Sequence, residues 1–218
     1  MIGVALPTGT VDVSIVLDAP ADPWTALALA HGAGAGMDHP FLQGVAEALA
    51  AEGVAVLRFM FPYREAGRRM PGPAAHAVAT WAAVMTDLET RVPGVPRFAA
   101  GKSYGGRMAS MAAAEGVIAP AGLIYLGYPL HAPGKPEAPR AAHLPRISAP
   151  QLFLEGTNDP FIQPIAQFEA AVATCQDAGV LWTPGGGHSF EVKGAARAPE
   201  AVGAEIAGSL VPWLRAHV

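Results

Sequence analysis

The sequence predicts an α/β fold with a mainly parallel sheet that is covered by helices on both faces. Short β-rich segments alternate along the chain with apolar patterns of helical spacing, which is the order that successive strand–helix–strand units require. Only 15% of the 218 residues are charged, whereas soluble domains usually carry about 25%. Parallel strands that are buried on both faces are apolar throughout, and such a sheet accounts for the low charge content.

The first quarter of the chain supplies three predicted strands and one helix. Residues 11–17 alternate between apolar and polar side chains, as in a half-buried strand, and residues 25–30 form a more continuous apolar strand. Apolar residues recur at helical spacing over 41–49, and Gly53 is a typical residue to end that helix. Residues 54–57 are the next apolar strand, so this stretch predicts a first strand–helix–strand unit.

The middle of the chain repeats this order. A long predicted helix over 78–92 carries apolar side chains on one face, and a predicted strand over 98–101 leads directly into a turn that contains a serine. Small residues form the next predicted helix over 104–115, and residues 123–126 form the next strand. Residues 127–149 are rich in proline and are expected to be irregular.

The last third contains two more predicted strands, over 151–154 and 180–182. Between them lies a helical stripe over 165–175 that Gly179 closes, and the final helix spans 202–213. No internal repeat or linker divides the sequence, so residues 1–218 are expected to form a single domain.

Charge and cysteine content exclude several functional classes. The net charge is −4 and no Lys or Arg precedes Arg58, whereas a signal peptide, a transit peptide and a basic nucleic-acid-binding arm all require early cations. No apolar run reaches the roughly 18 residues that a bilayer span needs. The single Cys175 cannot form an internal disulfide, and its place on an apolar stripe favours a core residue. We therefore expect a cytoplasmic protein that binds neither nucleic acid nor membrane.

The most informative segment is Gly101-Lys-Ser-Tyr-Gly105, which matches G-x-S-x-G between a predicted strand and a predicted helix. A tight turn of this kind projects Ser103 from the carboxyl end of the sheet, and the start of the next helix offers free N–H groups to an oxyanion. A phosphate-binding P-loop would need glycine where Pro96 stands, and residues 97–100 are predicted as strand. A glycine-rich turn with a solvated serine is the remaining alternative.

Two further residues are candidates for the acid and the base, which follow the nucleophile in that order along the chain in α/β-type hydrolytic sites. Asp159 follows the predicted strand over 151–154, and His188 follows the strand over 180–182, after three successive glycines. Taken alone, Asp159 fits an ordinary Asp-Pro turn and His188 fits a solvated loop. Together with Ser103, in this order and after these strands, they favour a catalytic triad.

The segment His31-Gly-Ala-Gly-Ala-Gly36 follows an earlier predicted strand. It resembles a dinucleotide-binding fingerprint, but Met37 stands where the third glycine of G-x-G-x-x-G belongs, and Arg58 stands where an acidic residue would end the next strand. The better interpretation is an oxyanion loop, in which the backbone N–H of Ala33 acts together with that of Tyr104.

A group of cations follows the strand over 54–57. Arg58, Arg64, Arg68 and Arg69 with Glu65 give this stretch a local charge of +3, which is typical of a solvated, partly ion-paired loop. A sharper hypothesis places Arg64 or Arg68 at the mouth of the active site, where it would favour an anionic substrate. Lys102, next to Ser103, is a third substrate-binding candidate. His131 and His143 have no second ligand at metal spacing, so no metal is predicted.

With these residues in place, the chain resembles the α/β-hydrolase superfamily, and more closely a small family of predicted hydrolases related to dienelactone hydrolases. The segments that carry the resemblance are 31–41, 61–69, 101–107, 127–131, 133–137, 156–159 and 187–190. The resemblance implies Ser103 as nucleophile, Asp159 as acid and His188 as base. Dienelactone hydrolases proper use a Cys nucleophile, and relatives commonly have Met and Asp where this chain has Tyr104 and Gly187.

The sequence therefore predicts a serine hydrolase that cleaves a small ester or thioester through an acyl-enzyme and needs no cofactor. The segment 127–149 is too short for a full helical lid, so a minimal lid or none is expected. An acyltransferase would use the same triad. A non-catalytic protein-interaction module with the same fold is the alternative from a different functional class.

Overall fold

The computed structural model describes residues 1–218 and contains nine strands and six α-helices. The strands are β1 (Ile2–Leu6), β2 (Gly9–Val13), β3 (Ile15–Asp18), β4 (Thr25–Ala30), β5 (Val54–Phe59), β6 (Arg97–Lys102), β7 (Gly122–Leu126), β8 (Gln151–Gly156) and β9 (Ala178–Thr183). The helices are α1 (Pro40–Ala51), α2 (Pro62–Glu65), α3 (Ala74–Arg91), α4 (Tyr104–Ala114), α5 (Ile165–Val172) and α6 (Pro199–Ala216).

Seven of the strands form one sheet in the order β3-β5-β4-β6-β7-β8-β9. Only β3 runs antiparallel to its neighbour, β5, and every other pair is parallel. The carboxyl ends of the parallel strands therefore meet at one edge of the sheet, which is where ligands bind in open α/β sheets. The predicted α/β fold class is confirmed.

The two faces of the sheet receive different side chains from the same strands. In β4, Ala26, Ala28 and Ala30 pack into a core with residues of α3 and α4, whereas Leu27 and Leu29 pack into a second core with α1 and α6. All six residues of β4 are completely buried. This burial on both faces explains the continuous apolar character of the central strands and the low charge content of the chain.

The single strand predicted over 11–17 is wrong, because the chain changes partners at Ser14. Residues before this point form β2, which pairs with β1 in a separate hairpin, and residues after it form β3 at the edge of the main sheet. The carbonyl oxygen of Ser14 accepts from Met60 N–H at 2.9 Å, and its own N–H donates to Glu65 Oε1 at 2.6 Å. Two consecutive strands of the same polar–apolar alternation look like one strand in the sequence.

The predicted helix over 165–175 is also too long. α5 ends at Val172, Cys175 lies in the turn that follows, and Gly179 lies within β9. Residue 178 already pairs with Gln151, so the chain must leave the helix early to reach the sheet. Cys175 is partly buried against the core, and burial raises the pKa of its thiol to about 11.

Arg58 lies inside β5 and not in the loop that was predicted to begin there. Its Nε donates to Asp18 Oδ2 at 3.0 Å, and its Nη1 donates to the carbonyl oxygen of Met37 at 3.0 Å. The first cation of the chain is thus buried and joins β3 to the loop before α1, because a buried guanidinium requires an anion and hydrogen-bond acceptors. None of the helices combines the length and apolar composition that a membrane span requires.

Candidate active site

Ser103 lies on the turn between β6 and α4 in an unusual backbone conformation. Its φ and ψ are 49° and −113°, a region that residues with a side chain rarely occupy. The turn closes only because glycines flank it: a Cβ at Gly101 would overlap the backbone nitrogen of Gly106, and a Cβ at Gly105 would lie 2.6 Å from Ala30 Cβ. This sharp turn places the serine hydroxyl at the carboxyl end of the sheet.

A continuous chain of hydrogen bonds joins the three residues that the sequence singled out. Ser103 Oγ lies 2.8 Å from His188 Nε2, and His188 Nδ1 lies 2.6 Å from Asp159 Oδ2. The other carboxylate oxygen of Asp159 accepts from Phe161 N–H at 2.8 Å, and this side chain is completely buried. Since an ionised carboxylate only accepts, His188 carries its proton on Nδ1 and presents a free Nε2 lone pair to the serine.

The loop that carries His188 is held against its neighbours at three points. The ring of Phe161 stacks on the imidazole with 4.1 Å between ring centroids. A Cβ at Gly156 would overlap the backbone of Gly186, so glycine at the end of β8 allows the histidine loop to pack directly against this strand. Lys102 Nζ donates to the carbonyl oxygen of His188 at 2.7 Å.

Burial controls the charge state of this site. It lowers the pKa of His188 below its ordinary value of 6.5, against the hydrogen bond to Asp159, and the nearby Lys102 ammonium lowers it further. Burial likewise lowers the pKa of Lys102 to about 8, although the nearby carboxylate of Asp159 opposes this effect. The imidazole is therefore neutral at pH 7, which is the form that a general base requires.

Glu155 is a buried acid of β8, close to Asp159 and Lys102, that sequence reasoning did not single out. Its Oε1 accepts from Tyr128 N–H at 2.5 Å, whereas its Oε2 is buried without a hydrogen-bond partner. Burial raises the pKa of this carboxyl well above its usual value, despite the hydrogen bond from Tyr128.

The loop after β4 is fixed by two residues that sequence reasoning did not assign. His31 Nδ1 donates to the carbonyl oxygen of Gly32 at 2.7 Å, and its Nε2 accepts from Phe61 N–H at 3.1 Å. Tyr63 Oη donates to the carbonyl oxygen of Ala33 at 2.8 Å. Burial lowers the pKa of His31 to about 4, so it keeps one proton at neutral pH. The sequence signal for His31 was its position directly after the buried strand β4.

Ala33 and Tyr104 are the predicted oxyanion donors, and Tyr104 directly follows Ser103 in the chain. Neither backbone N–H donates to an acceptor within the protein. Tyr104 is the first residue of α4, and the N–H groups of a first helical turn have no partner inside the helix. Ala33 lies in the turn after β4 and contributes to the same cavity as Ser103.

A cavity of about 700 Å³ opens in front of Ser103. One wall is the loop over 32–35, and the opposite wall is the segment over 188–199 that follows the histidine. No residue of the proline-rich segment 127–149 contributes to the lining, and its only regular element is a short 3₁₀ helix, Leu144–Arg146. The walls of the cavity thus come from the loop after β4, the histidine loop and the starts of α1 and α6, and the expected absence of a helical lid over 127–149 is confirmed.

The three substrate-binding candidates have different positions. Lys102 lines the cavity but directs its ammonium group to the carbonyl oxygen of His188. Arg64 and Arg68 do not line it: Arg64 Nη1 donates to the carbonyl oxygen of Arg68 at 3.3 Å, and Arg68 borders a separate cavity of about 210 Å³ beside Tyr104. On α2 the neighbouring Tyr63, not an arginine, faces the loop beside Ser103.

The two histidines of the irregular segment bond to different parts of the protein. His143 Nε2 lies 2.7 Å from Ser110 Oγ, and burial lowers the pKa of this histidine to about 4. His131 is completely buried, and its Nδ1 bonds to the carbonyl oxygen of Ala132 at 2.8 Å. His143 therefore joins the irregular segment to α4, whereas His131 bonds within the segment itself.

Comparison with known proteins agrees with this geometry. The alpha/beta hydrolase domain family matches residues 23–205 of the chain. The chain belongs to this family. An α/β serine hydrolase homologue from Coxiella burnetii has a similar structure, with a TM-score of 0.74 and 19% identity over 97% of this chain and 95% of that one.

Two further structures extend the comparison. A serine hydrolase without a lid from Xanthomonas campestris is similar at a TM-score of 0.73 and 19% identity, over 97% of this chain and 93% of that one. A dienelactone hydrolase from Anabaena variabilis is similar at a TM-score of 0.72 and 23% identity, over 97% of this chain and 95% of that one. At such identities these likenesses establish the α/β-hydrolase fold, and the resemblance inferred from the motifs is confirmed.

Proposed function

We propose that this α/β-hydrolase is a serine hydrolase that cleaves a carboxylic ester or thioester through an acyl-enzyme. The observation that carries the proposal is the hydrogen-bonded series from Ser103 Oγ through His188 to Asp159, at the bottom of a cavity. A buried carboxylate, a neutral imidazole and a serine on a strained turn are the three parts that nucleophilic acyl transfer needs.

In the first half-reaction, Ser103 Oγ attacks the carbonyl carbon of the substrate while His188 Nε2 takes the hydroxyl proton. The carbonyl π electrons move to the oxygen, which becomes an oxyanion that accepts hydrogen bonds from the N–H groups of Ala33 and Tyr104. Asp159 stabilises the imidazolium that forms and holds its orientation. When the oxyanion collapses, the ester bond breaks and His188 returns the proton to the leaving alcohol or thiol.

In the second half-reaction, water takes the place of the leaving group. His188 removes a proton from the water as its oxygen attacks the acyl carbon, and the same two N–H groups bind the second oxyanion. Collapse of this intermediate breaks the bond to Ser103 Oγ, which recovers its proton from His188. The products are a carboxylic acid and a regenerated enzyme, and no cofactor takes part.

Labelling with a fluorophosphonate probe tests this proposal, because the probe reacts covalently with an activated serine. Wild type and a Ser189→Ala variant should be labelled and should hydrolyse p-nitrophenyl acetate, whereas Ser103→Ala should do neither. Ser189 is the matched control, since it is a second serine that lines the same cavity. Absence of any Ser103-dependent labelling and hydrolysis across a panel of esters and thioesters would contradict the proposal and favour the protein-interaction module.

A further inference from the structure

The cavity in front of Ser103 extends well beyond the reacting groups, toward the start of α1 and the start of α6. We propose, resting on the function above, that the natural substrate is an ester or thioester carrying an uncharged apolar chain that occupies this extension. The chain belongs to either the acyl or the alcohol side of the ester, and the experiment below separates the two.

The side chains in the extension are predominantly apolar. Six residues form its walls: Phe41, Leu42, Val192, Ala195, Ala196 and Val202. Phe41 and Leu42 are buried residues of α1, and Val202 is a buried residue of α6, so this end of the cavity is formed by regular elements. An apolar surface that is continuous with a reacting serine favours a hydrocarbon group over water or a polar group.

The charged side chains of the lining already have partners in the protein. Lys102 donates to the carbonyl oxygen of His188, Glu191 Oε2 accepts from Ser189 N–H at 2.8 Å, and Arg197 is paired with Glu205. A charged group on the substrate would have to compete with these contacts, whereas an apolar chain leaves them in place. The location of Arg64 and Arg68 outside the lining agrees with an uncharged substrate.

The volume of the cavity indicates a substrate larger than an acetate ester. Sites for small organic ligands usually measure about 300–1,000 Å³, and this cavity of about 700 Å³ lies within that range. An acetyl group would leave most of it without apolar contacts. Each methylene that moves from water into such a site is expected to raise kcat/KM by roughly fourfold.

Two series of esters measure this effect. In the first, the alcohol is p-nitrophenol and the acyl group lengthens from acetyl to hexanoyl and octanoyl; in the second, the acyl group is acetyl and the alcohol lengthens in the same way. In one series kcat/KM should rise by at least about tenfold along the chain, and that series identifies the side of the ester that occupies the extension. A flat profile in both series would overturn the inference while leaving the proposed function intact.

Substitution of a lining residue localises the effect. Ala195 is exposed on a loop and lines the extension, so Ala195→Trp should partly fill it without disturbing the core. We expect this variant to lower the ratio of octanoyl to acetyl kcat/KM, or the corresponding ratio of the alcohol series, by tenfold or more. Ala204→Trp is the matched control on an exposed face of α6 outside the lining, and it should leave the ratio unchanged. Equal ratios in both variants would overturn the inference.

A binding measurement tests the cavity independently of catalysis. In a Ser103→Ala background, octanamide should raise Tm more than acetamide does at the same concentration, and Ala195→Trp should remove the difference. Chain-length-dependent binding without Ser103-dependent hydrolysis would support the apolar site and contradict the proposed function. Ser103-dependent hydrolysis in which neither binding nor rate depends on chain length would support the proposed function and overturn the inference of an apolar substrate chain.

Discussion

The ammonium group of Lys102 donates a 2.7 Å hydrogen bond to the backbone carbonyl oxygen of His188. This contact joins the residue before the proposed nucleophile to the residue proposed as the base, across 86 positions of sequence. It positions the histidine loop over the serine. Because the ammonium also lowers the pKa of His188, it favours the neutral form of the imidazole.

The pH dependence of kcat/KM should report this environment. Burial lowers the pKa of His188, so the acid limb of the wild-type profile is expected below pH 6.5. Lys102→Met removes a nearby positive charge and should move that limb to higher pH, and loss of the hydrogen bond to the loop should also lower kcat. Lys135→Met, at an exposed lysine outside the cavity lining, is the control and should keep the wild-type profile. An unshifted limb in Lys102→Met would show that the ammonium does not act on the imidazole.

Asp159→Asn tests the role of the buried carboxylate. The amide keeps the size of the side chain and an oxygen for Phe161 N–H, but its NH₂ group would oppose the Nδ1 proton of His188 and favour the other tautomer. We expect kcat to fall by about 10⁴-fold with little change in far-UV circular dichroism. Asp177→Asn, at an exposed aspartate, should retain full activity. A loss of less than tenfold in Asp159→Asn would contradict the proposed role.

Tyr63→Phe tests whether the oxyanion loop depends on the hydrogen bond to Ala33. Without the hydroxyl, the loop loses the hydrogen bonds at the carbonyl oxygens of Ala33 and Gly32, the second of which shares a peptide unit with the Ala33 N–H, so kcat should fall by about tenfold while KM changes little. Tyr125→Phe loses a comparable hydrogen bond, to Gln151 inside the sheet, and serves as the control for stability. If both variants lower kcat equally, Tyr63 has only a structural role.

The stability of the protein should depend on His31 in mildly acidic solution. Its pKa is about 4 in the folded state and 6.5 in the unfolded state, so between these values only the unfolded state binds the proton. The free energy of unfolding should therefore be highest above pH 6.5 and should fall as the pH decreases toward 4. The full effect is on the order of 3 kcal/mol. His31→Gln should reduce this pH dependence, as measured by urea denaturation at several pH values. If the free energy of unfolding changes with pH as steeply in this variant as in wild type, the role of His31 is contradicted.

The order of strands and helices was predictable because each central element has a strong local signal. β4 and β5 are short apolar runs, α1 has helical spacing, and the glycines around Ser103 mark a turn that only small residues can form. The boundaries that were wrong, at Ser14 and after Val172, depend on which strand the chain pairs with next, and a local pattern does not contain that information.

By itself the sequence determined the α/β-hydrolase fold and the three residues proposed for catalysis, because parallel strands bring their carboxyl ends to one edge and the residues that follow them must meet there. Only the tertiary structure decided the contacts between distant segments. It directed Lys102 toward the histidine loop and placed Tyr63 against Ala33. It also kept Arg64 and Arg68 out of the cavity and formed the apolar extension from α1, α6 and the loop that follows the histidine. Each depends on packing between elements that are remote in sequence, and a local pattern does not specify which distant segment a side chain will contact.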